Sequence, residues 1–184
     1  MKKFNYRNSG IVLLAILFSL TACEKYLDLD PPFSQDADNY FTEPEHYDLA
    51  LTGAYDLLQG SFMNIWIGEI ASDNSIAGGE SVTDSQGLHE MESMTHGSVN
   101  RELRSVFQWN YAGVARANFI MENKNNIDFE GKTQILAETS FLRAYYYFQL
   151  VKYFGDVPLV VDKRLGADEV TEIERTPKAE VYAQ

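Results

Sequence analysis

Apolar residues fall along this chain in one dense run, several stripes of helical period, and long stretches where they thin out. The dense run, "IVLLAILFSL" (Ile11 to Leu20), follows the basic residues Lys2, Lys3 and Arg7 and precedes the small residues Thr21 and Ala22. Basic, greasy and small segments in that order predict a secretory signal peptide over residues 1–22. Crossing a bilayer takes about 20 apolar residues, so this run is short for a membrane helix.

Apolar positions then become sparse. "EKYLDLDPPFSQDADNYF" is acidic and carries paired prolines, which predicts an extended tether over residues 23–41, counting Cys23. Helical periodicity begins after it. Thr42 and Glu45 have the spacing of a capping box, with Pro44 in the first turn. Leu49, Ala50, Ala54, Leu57 and Leu58 form an apolar face, and Gly60 is the expected stop. "SFMNIWIGEI" (61–70) fits a short helix or a strand equally well. Residues 71–100 hold Gly78, Gly79, Gly87, Gly97 and many hydroxyl and amide groups, the composition of a long functional or disordered loop.

The strongest stripes come next. Residues 100–125 place Leu103, Phe107, Tyr111, Val114 and Met121 on one face, with Gly113 and Ala117 one turn apart for close helix contact. Residues 132–153 align Ile135, Leu142, Tyr145, Gln149 and Tyr153, and carry Phe141, Phe148 and Leu150 on a second apolar side. A helix that is apolar around most of its circumference needs cover on more than one side, so a stacked αα-hairpin is expected. Ala144 and Phe148 fit part of the tetratricopeptide pattern, whose Trp-to-Tyr spacing is absent here. Gly155 ends the helix, and Pro158 opens a short extended segment. Thr176 as cap and Pro177 at the first helical position start a further helix. The chain stops inside it, so a truncated protein is expected. The pattern as a whole predicts a mainly α fold of tetratricopeptide-like hairpins with long loops, over residues 42–184.

Charge narrows the partners. The 184 residues carry a formal net charge of −12, and residues 1–22 hold three positive and no negative charges, leaving −15 after cleavage. Nucleic acid needs a basic surface, which this chain lacks. Adhesion to anionic lipid headgroups is disfavoured for the same reason. Eleven tyrosines and eleven phenylalanines suit both helix packing and sugar stacking, and composition does not separate the two.

The single cysteine sits in "LTAC" (Leu20 to Cys23), which looks like a bacterial lipobox. With no second cysteine to bridge, Cys23 is expected to be acylated after cleavage. One acyl chain holds a membrane marginally and several hold it durably.

Other chemistry is sparse. No nucleophile elbow, zinc-protease helix, P-loop or dinucleotide fingerprint is present, so no catalysis, cofactor or metal is expected. His89, Glu92 and His96 have loose spacing in a flexible stretch and are expected to be solvated loop residues. Arg143, mid-helix, is expected to pair with an acid such as Glu138 or Asp156, and Trp109 to lie in the core. Trp66 is expected either in the core or as a ligand platform, because its flanks do not fix its face.

"FLRAYYYFQLVKYFGDVPL" (Phe141 to Leu159) closely resembles the R-A-x-x-Y-F-x-L-x-x-x-F-G-D-V-P-L signature of the SusD/RagB group of outer-membrane nutrient-binding lipoproteins. "ERTPKAEVYAQ", "CEKYLDLDPP" and "ARANFIMENKN" resemble its R-T-P-x-x-E-V-Y, post-lipobox and A-x-N-x-I motifs, in the same order. The resemblance implies a helical, tetratricopeptide-like protein on the outer face of the outer membrane. It implies a lid over a TonB-dependent transporter of the SusC/RagA type, to which captured oligosaccharides, or peptides in one branch, are passed. It also implies that a C-terminal portion is missing. Asp73 and Asn74 stand where such proteins carry an acidic or amide pair, a donor–acceptor set suited to sugar hydroxyls; the alternative is a turn in which both bond their own backbone. A lipid-tethered adaptor for protein partners and a surface glycoside hydrolase are the readings from other classes.

Overall fold

A computed structural model describes residues 40–184 apart from 82, 162 and 167. Residues 1–22, Cys23 and most of the expected tether lie outside the described residues. Among the described residues six α-helices carry the fold: α1 (Pro44–Asp56), α2 (Phe62–Ile70), α3 (Gln86–Glu92), α4 (Arg101–Glu122), α5 (Lys132–Phe154) and α6 (Lys178–Ala183). A 3₁₀ segment, Leu57–Ser61, joins α1 to α2, and another turn of 3₁₀ spans Glu169–Thr171. The extended pairing among the described residues is a single antiparallel bridge between Val157 and Thr176.

α4 and α5 form the expected antiparallel hairpin, and α1 packs across both. Close approach is set at Gly113, where a Cβ would stand 2.5 Å from the Tyr146 ring. Around that contact lie Val114, Leu142, Leu150 and, from the first helix, Tyr47, Leu51 and Ala54. The packed unit reaches back to Phe41, which is buried against Tyr47 and Phe119 with ring centroids 4.5 and 4.8 Å away. A smaller cluster joins Ile67 and Ile70 of α2 to Leu88 and Met91 of α3 and Val106 of α4.

Several local expectations are corrected. The capping box does not form, because Pro44 holds the preceding Glu43 extended and makes it the N-cap, one residue later than Thr42. Glu45 then lies too early in the helix to reach back. Of the expected apolar face, Ala54 and Leu57 are buried and Ala50 and Leu58 pack against the core, but Leu49 is 54% exposed, and the face also takes in Tyr47 and Leu51. Gly60 does not stop the chain. It lies inside the 3₁₀ segment that leads directly into the next helix, and it gives the Trp109 indole room to pack. Residues 61–70 are helical. Of the expected second apolar side of α5, Leu150 is buried in the core, whereas Phe141 is 69% and Phe148 51% exposed among the described residues. Gly155, at φ 67°, ends that helix as expected. At α6 the cap comes from outside the helix: Asp156 Oδ1 accepts the Lys178 N–H at 2.9 Å, while Thr176 pairs by its backbone with Val157.

The tyrosines act as pins between elements. Tyr47 donates to the Asn123 carbonyl at 2.6 Å, Tyr146 to Ala54 at 2.6 Å, Tyr111 to Pro158 at 2.7 Å and Tyr147 to Val160 at 2.9 Å. Each ring fills apolar space while its hydroxyl satisfies a backbone carbonyl on another element. Burial pushes the Tyr111 and Tyr147 phenols up, and raises that of Tyr146 to about 12. The native protein therefore holds these protons more tightly than the unfolded chain. The resulting stability is fully present below pH 10 and is lost as pH rises through 10 toward about 12. Denaturant midpoints are expected to fall across that window, and Tyr146→Phe to flatten part of the fall; a midpoint constant over the same range would refute it.

Candidate ligand-binding site

α2 is amphipathic in an unusual sense, since both its sides are apolar. Its inner side, Ile67 and Ile70, is fixed against α3 and α4. Its outer side presents Phe62, Ile65 and Trp66, which with Glu69 line an open concavity of about 450 Å³. Trp66 is 43% exposed there, so it lies on the surface and not in the core. Trp109 is 39% exposed, half-buried and not deep in the core, and its Nε1–H donates to the Leu57 carbonyl.

Asp73 and Asn74 follow in the turn that ends α2, and both are exposed. The turn is made by Ser72, whose hydroxyl donates to the Glu69 carbonyl at 2.9 Å and accepts the Asn74 N–H at 3.2 Å. Among the described residues the Asp73 carboxylate and Asn74 carboxamide make no side-chain hydrogen bond, so they do not serve the turn in the self-bonding way. The structure does not place Trp66 in one cavity with this pair.

The 71–100 stretch is more ordered than its composition predicts. α3 lies within it and is tied down by Asn100, whose Nδ2 donates to the Gly87 carbonyl at 3.0 Å and to Glu90 Oε2 at 2.9 Å. Asn100 Oδ1 also caps α4 by accepting the Glu102 and Leu103 N–H groups. Asp84 Oδ2 accepts two backbone N–H groups, from Glu80 and Ser81, at 2.7 and 3.1 Å. His89 and His96 are not solvated as expected: His89 Nε2 and His96 Nδ1 are buried without a hydrogen-bond partner among the described residues. His89 Nδ1 lies 3.8 Å from Glu92 Oε2. No group of three His, Cys, Asp or Glu side chains among the described residues comes together to hold a metal ion.

A larger concavity of about 540 Å³, which periodicity gave no sign of, opens between the start of α4 and the end of α5. His96, Arg104, Phe107, Phe154, Asp156 and Arg175 line it. Phe107 and Phe154 meet edge-to-face at 5.3 Å. Arg175 is brought there by the Val157–Thr176 bridge, whose two backbone hydrogen bonds measure 3.2 and 3.0 Å.

Arg143 does not form the expected ion pair. Glu138 is taken by Tyr55 and Gln134, and Asp156 by the Lys178 N–H. Instead Arg143 Nη1 donates to Asn118 Oδ1 at 3.1 Å, and the buried Asn118 Nδ2 donates to the Val160 and Lys163 carbonyls, both at 2.9 Å. Arg164 completes this fastening by pairing with Glu122 and stacking 4.0 Å over the Phe119 ring. No helix among the described residues is long and apolar enough to cross a membrane.

Comparison with known proteins places this architecture. A SusD-like protein of Formosa agariphila is 31% identical over 90% of this chain and 32% of its own length. Among solved structures, surface glycan-binding protein A from Bacteroides uniformis is 28% identical with a TM-score of 0.65, covering 77% of this chain and 32% of the other. A SusD-like protein from Bacteroides fragilis NCTC 9343, 23% identical with a TM-score of 0.67, shares the fold over 82% of this chain. The chain thus spans about a third of the length of the relatives it matches. The SusD-like family described as "Starch-binding associating with outer membrane" matches residues 25–184, and with nearly the whole chain inside that match the protein belongs to this SusD-like family.

Proposed function

We propose that this chain belongs to a cell-surface lipoprotein that binds nutrient oligosaccharides and delivers them to a SusC/RagA-type TonB-dependent transporter of the outer membrane. The observation that carries the reading is the outward aromatic face of α2, with exposed Trp66 and unengaged Asp73 and Asn74, in a chain of a starch-binding, outer-membrane family. An indole face stacks on the C–H face of a sugar ring, and a carboxylate beside a carboxamide supplies planar acceptors and donors for hydroxyls. Surface glycan-binding protein A, 28% identical, supports the ligand class. Acylated Cys23 would supply the anchor, and no catalytic step enters the reading.

Calorimetric titration of the full chain with neutral oligosaccharides and with peptides tests it. Trp66→Ala is expected to weaken sugar binding about 10- to 100-fold, the equivalent of losing one buried aromatic contact. Undiminished affinity in that variant would remove α2 from the site, and binding of peptides alone would favour the peptide-binding branch. In Triton X-114 partition the wild type is expected in the detergent phase and Cys23→Ala in the aqueous phase.

A further inference from the structure

We infer that the concavity between α4 and α5 is a second sugar site, selective for rings that carry an anionic group, a carboxylate or a sulfate ester. This rests on the glycan-binding reading and extends it to a different part of the surface. The motivating observation is one of charge. The chain is acidic overall at −12, yet this concavity gathers two guanidiniums, Arg104 and Arg175, against the single carboxylate of Asp156. Asp156 Oδ1 accepts the Lys178 N–H, which leaves its charge in place, so the two arginines give the lining a net positive charge and not an unopposed pair. Neither arginine forms an ion pair with any carboxylate among the described residues, although Arg116, Lys132, Lys163 and Arg164 all do.

The lining divides the work. Phe107 and Phe154 give an apolar floor of the kind a sugar ring lies on. The guanidiniums are exposed on the wall. Each presents a planar fork of N–H donors that matches the two oxygens of a carboxylate or sulfate. His96 is also in the lining, and its Nδ1 is buried with no protein partner among the described residues. A neutral ring would use the floor and leave both charges unanswered. An anionic ring answers them, and it does so against a surface whose remaining charge repels acidic polymers elsewhere. That contrast makes the site selective and not merely sticky.

The test is calorimetric titration of the full chain with a galacturonate tetrasaccharide, a sulfated galactan tetrasaccharide, the neutral galactan tetrasaccharide, and inorganic sulfate. At least one acidic sugar is expected to bind about tenfold or more tighter than the neutral one, since charge-assisted hydrogen bonds are roughly twice as strong as neutral ones. Whichever acidic sugar binds names the group. Arg104→Gln and Arg175→Gln are each expected to erase most of the preference with the helical circular dichroism unchanged. Should either variant misfold, the wild type still decides: added NaCl must weaken acidic-sugar binding and leave neutral binding alone. Equal affinity for acidic and neutral sugars overturns the inference and leaves the glycan reading standing. Failure of every sugar to bind overturns both. Inorganic sulfate binding as tightly as the sulfated sugar overturns the sugar assignment, marking an adventitious ion only.

Discussion

Tyr146→Ala is expected to destabilise the protein by about 3–5 kcal/mol, the usual cost of truncating a fully buried aromatic. The ring lies where α1, α4 and α5 meet, flat against Gly113, and its hydroxyl reaches the Ala54 carbonyl at 2.6 Å. The cavity left behind would be lined by two helices whose spacing the ring sets, so little collapse can refill it. Two companion variants separate the contributions. Tyr146→Phe keeps the ring and loses one hydrogen bond, for about 1 kcal/mol. Gly113→Ala puts a methyl group 2.5 Å from the ring atoms. Its overpacking cost of about 1–3 kcal/mol is offset in part by alanine's better helix propensity. Urea titration followed by helical circular dichroism gives all three. A cost below about 1 kcal/mol for the alanine variant, far under that range, would mean that the hairpin does not depend on this contact.

Asn118→Ala is the second large effect, expected at about 3 kcal/mol from three hydrogen bonds worth roughly 1 kcal/mol each, one of them to a guanidinium. The loss should be local as well as global. Asn118 holds the 157–164 segment through the carbonyls of Val160 and Lys163, so amide exchange and proteolysis there should accelerate before the helices are affected. Asn118→Asp discriminates between the two halves of the arrangement. A carboxylate keeps Arg143 but donates to neither carbonyl, and it adds charge repulsion against both oxygens. If the aspartate variant behaves like wild type, the Arg143 bond is the one that matters and the fastening of the segment is incidental.

The same residues mark how far the sequence could be read. α4 and α5 were legible in extent because their stripes run through five or six turns, but the buried side of α4 runs through Val106, Asn110, Gly113, Ala117 and Ile120 and leaves the expected Phe107 exposed. The Gly113–Ala117 pair pointed correctly to a close crossing, and Gly155 to a stop. In the first helical stretch Ala50, Ala54, Leu57 and Leu58 were legible as core-facing, but Leu49 stood in for the buried Tyr47 and Leu51, because in a short helix rich in alanine and tyrosine the two stripes fit almost equally well. Asn118 gave no warning. An asparagine in a helix reads as a solvated position, and its three partners come from segments far along the chain. α3 was hidden because Gly87 and the polar residues around it mask its short apolar face, Leu88 and Met91, and Asn100 stabilises it from outside. Of the proposed site, Trp66, Asp73 and Asn74 were named from the sequence alone, and the orientation of the indole was not legible there. The concavity at Arg104 and Arg175 was invisible, because a backbone bridge between Val157 and Thr176, far apart in sequence, brings the second arginine into place.

The chain has two tryptophans, and the fold gives them different surroundings. Trp109 is held by its ring nitrogen against the turn after α1, while Trp66 stands on an open face. The two indoles are therefore separable as fluorescent reporters. With Trp66 43% and Trp109 39% exposed, both should be quenched by iodide, and a sugar laid over Trp66 should shield that one alone. Emission from Trp109 should stay constant on titration and change when the hairpin melts, so one spectrum would follow occupancy and unfolding independently.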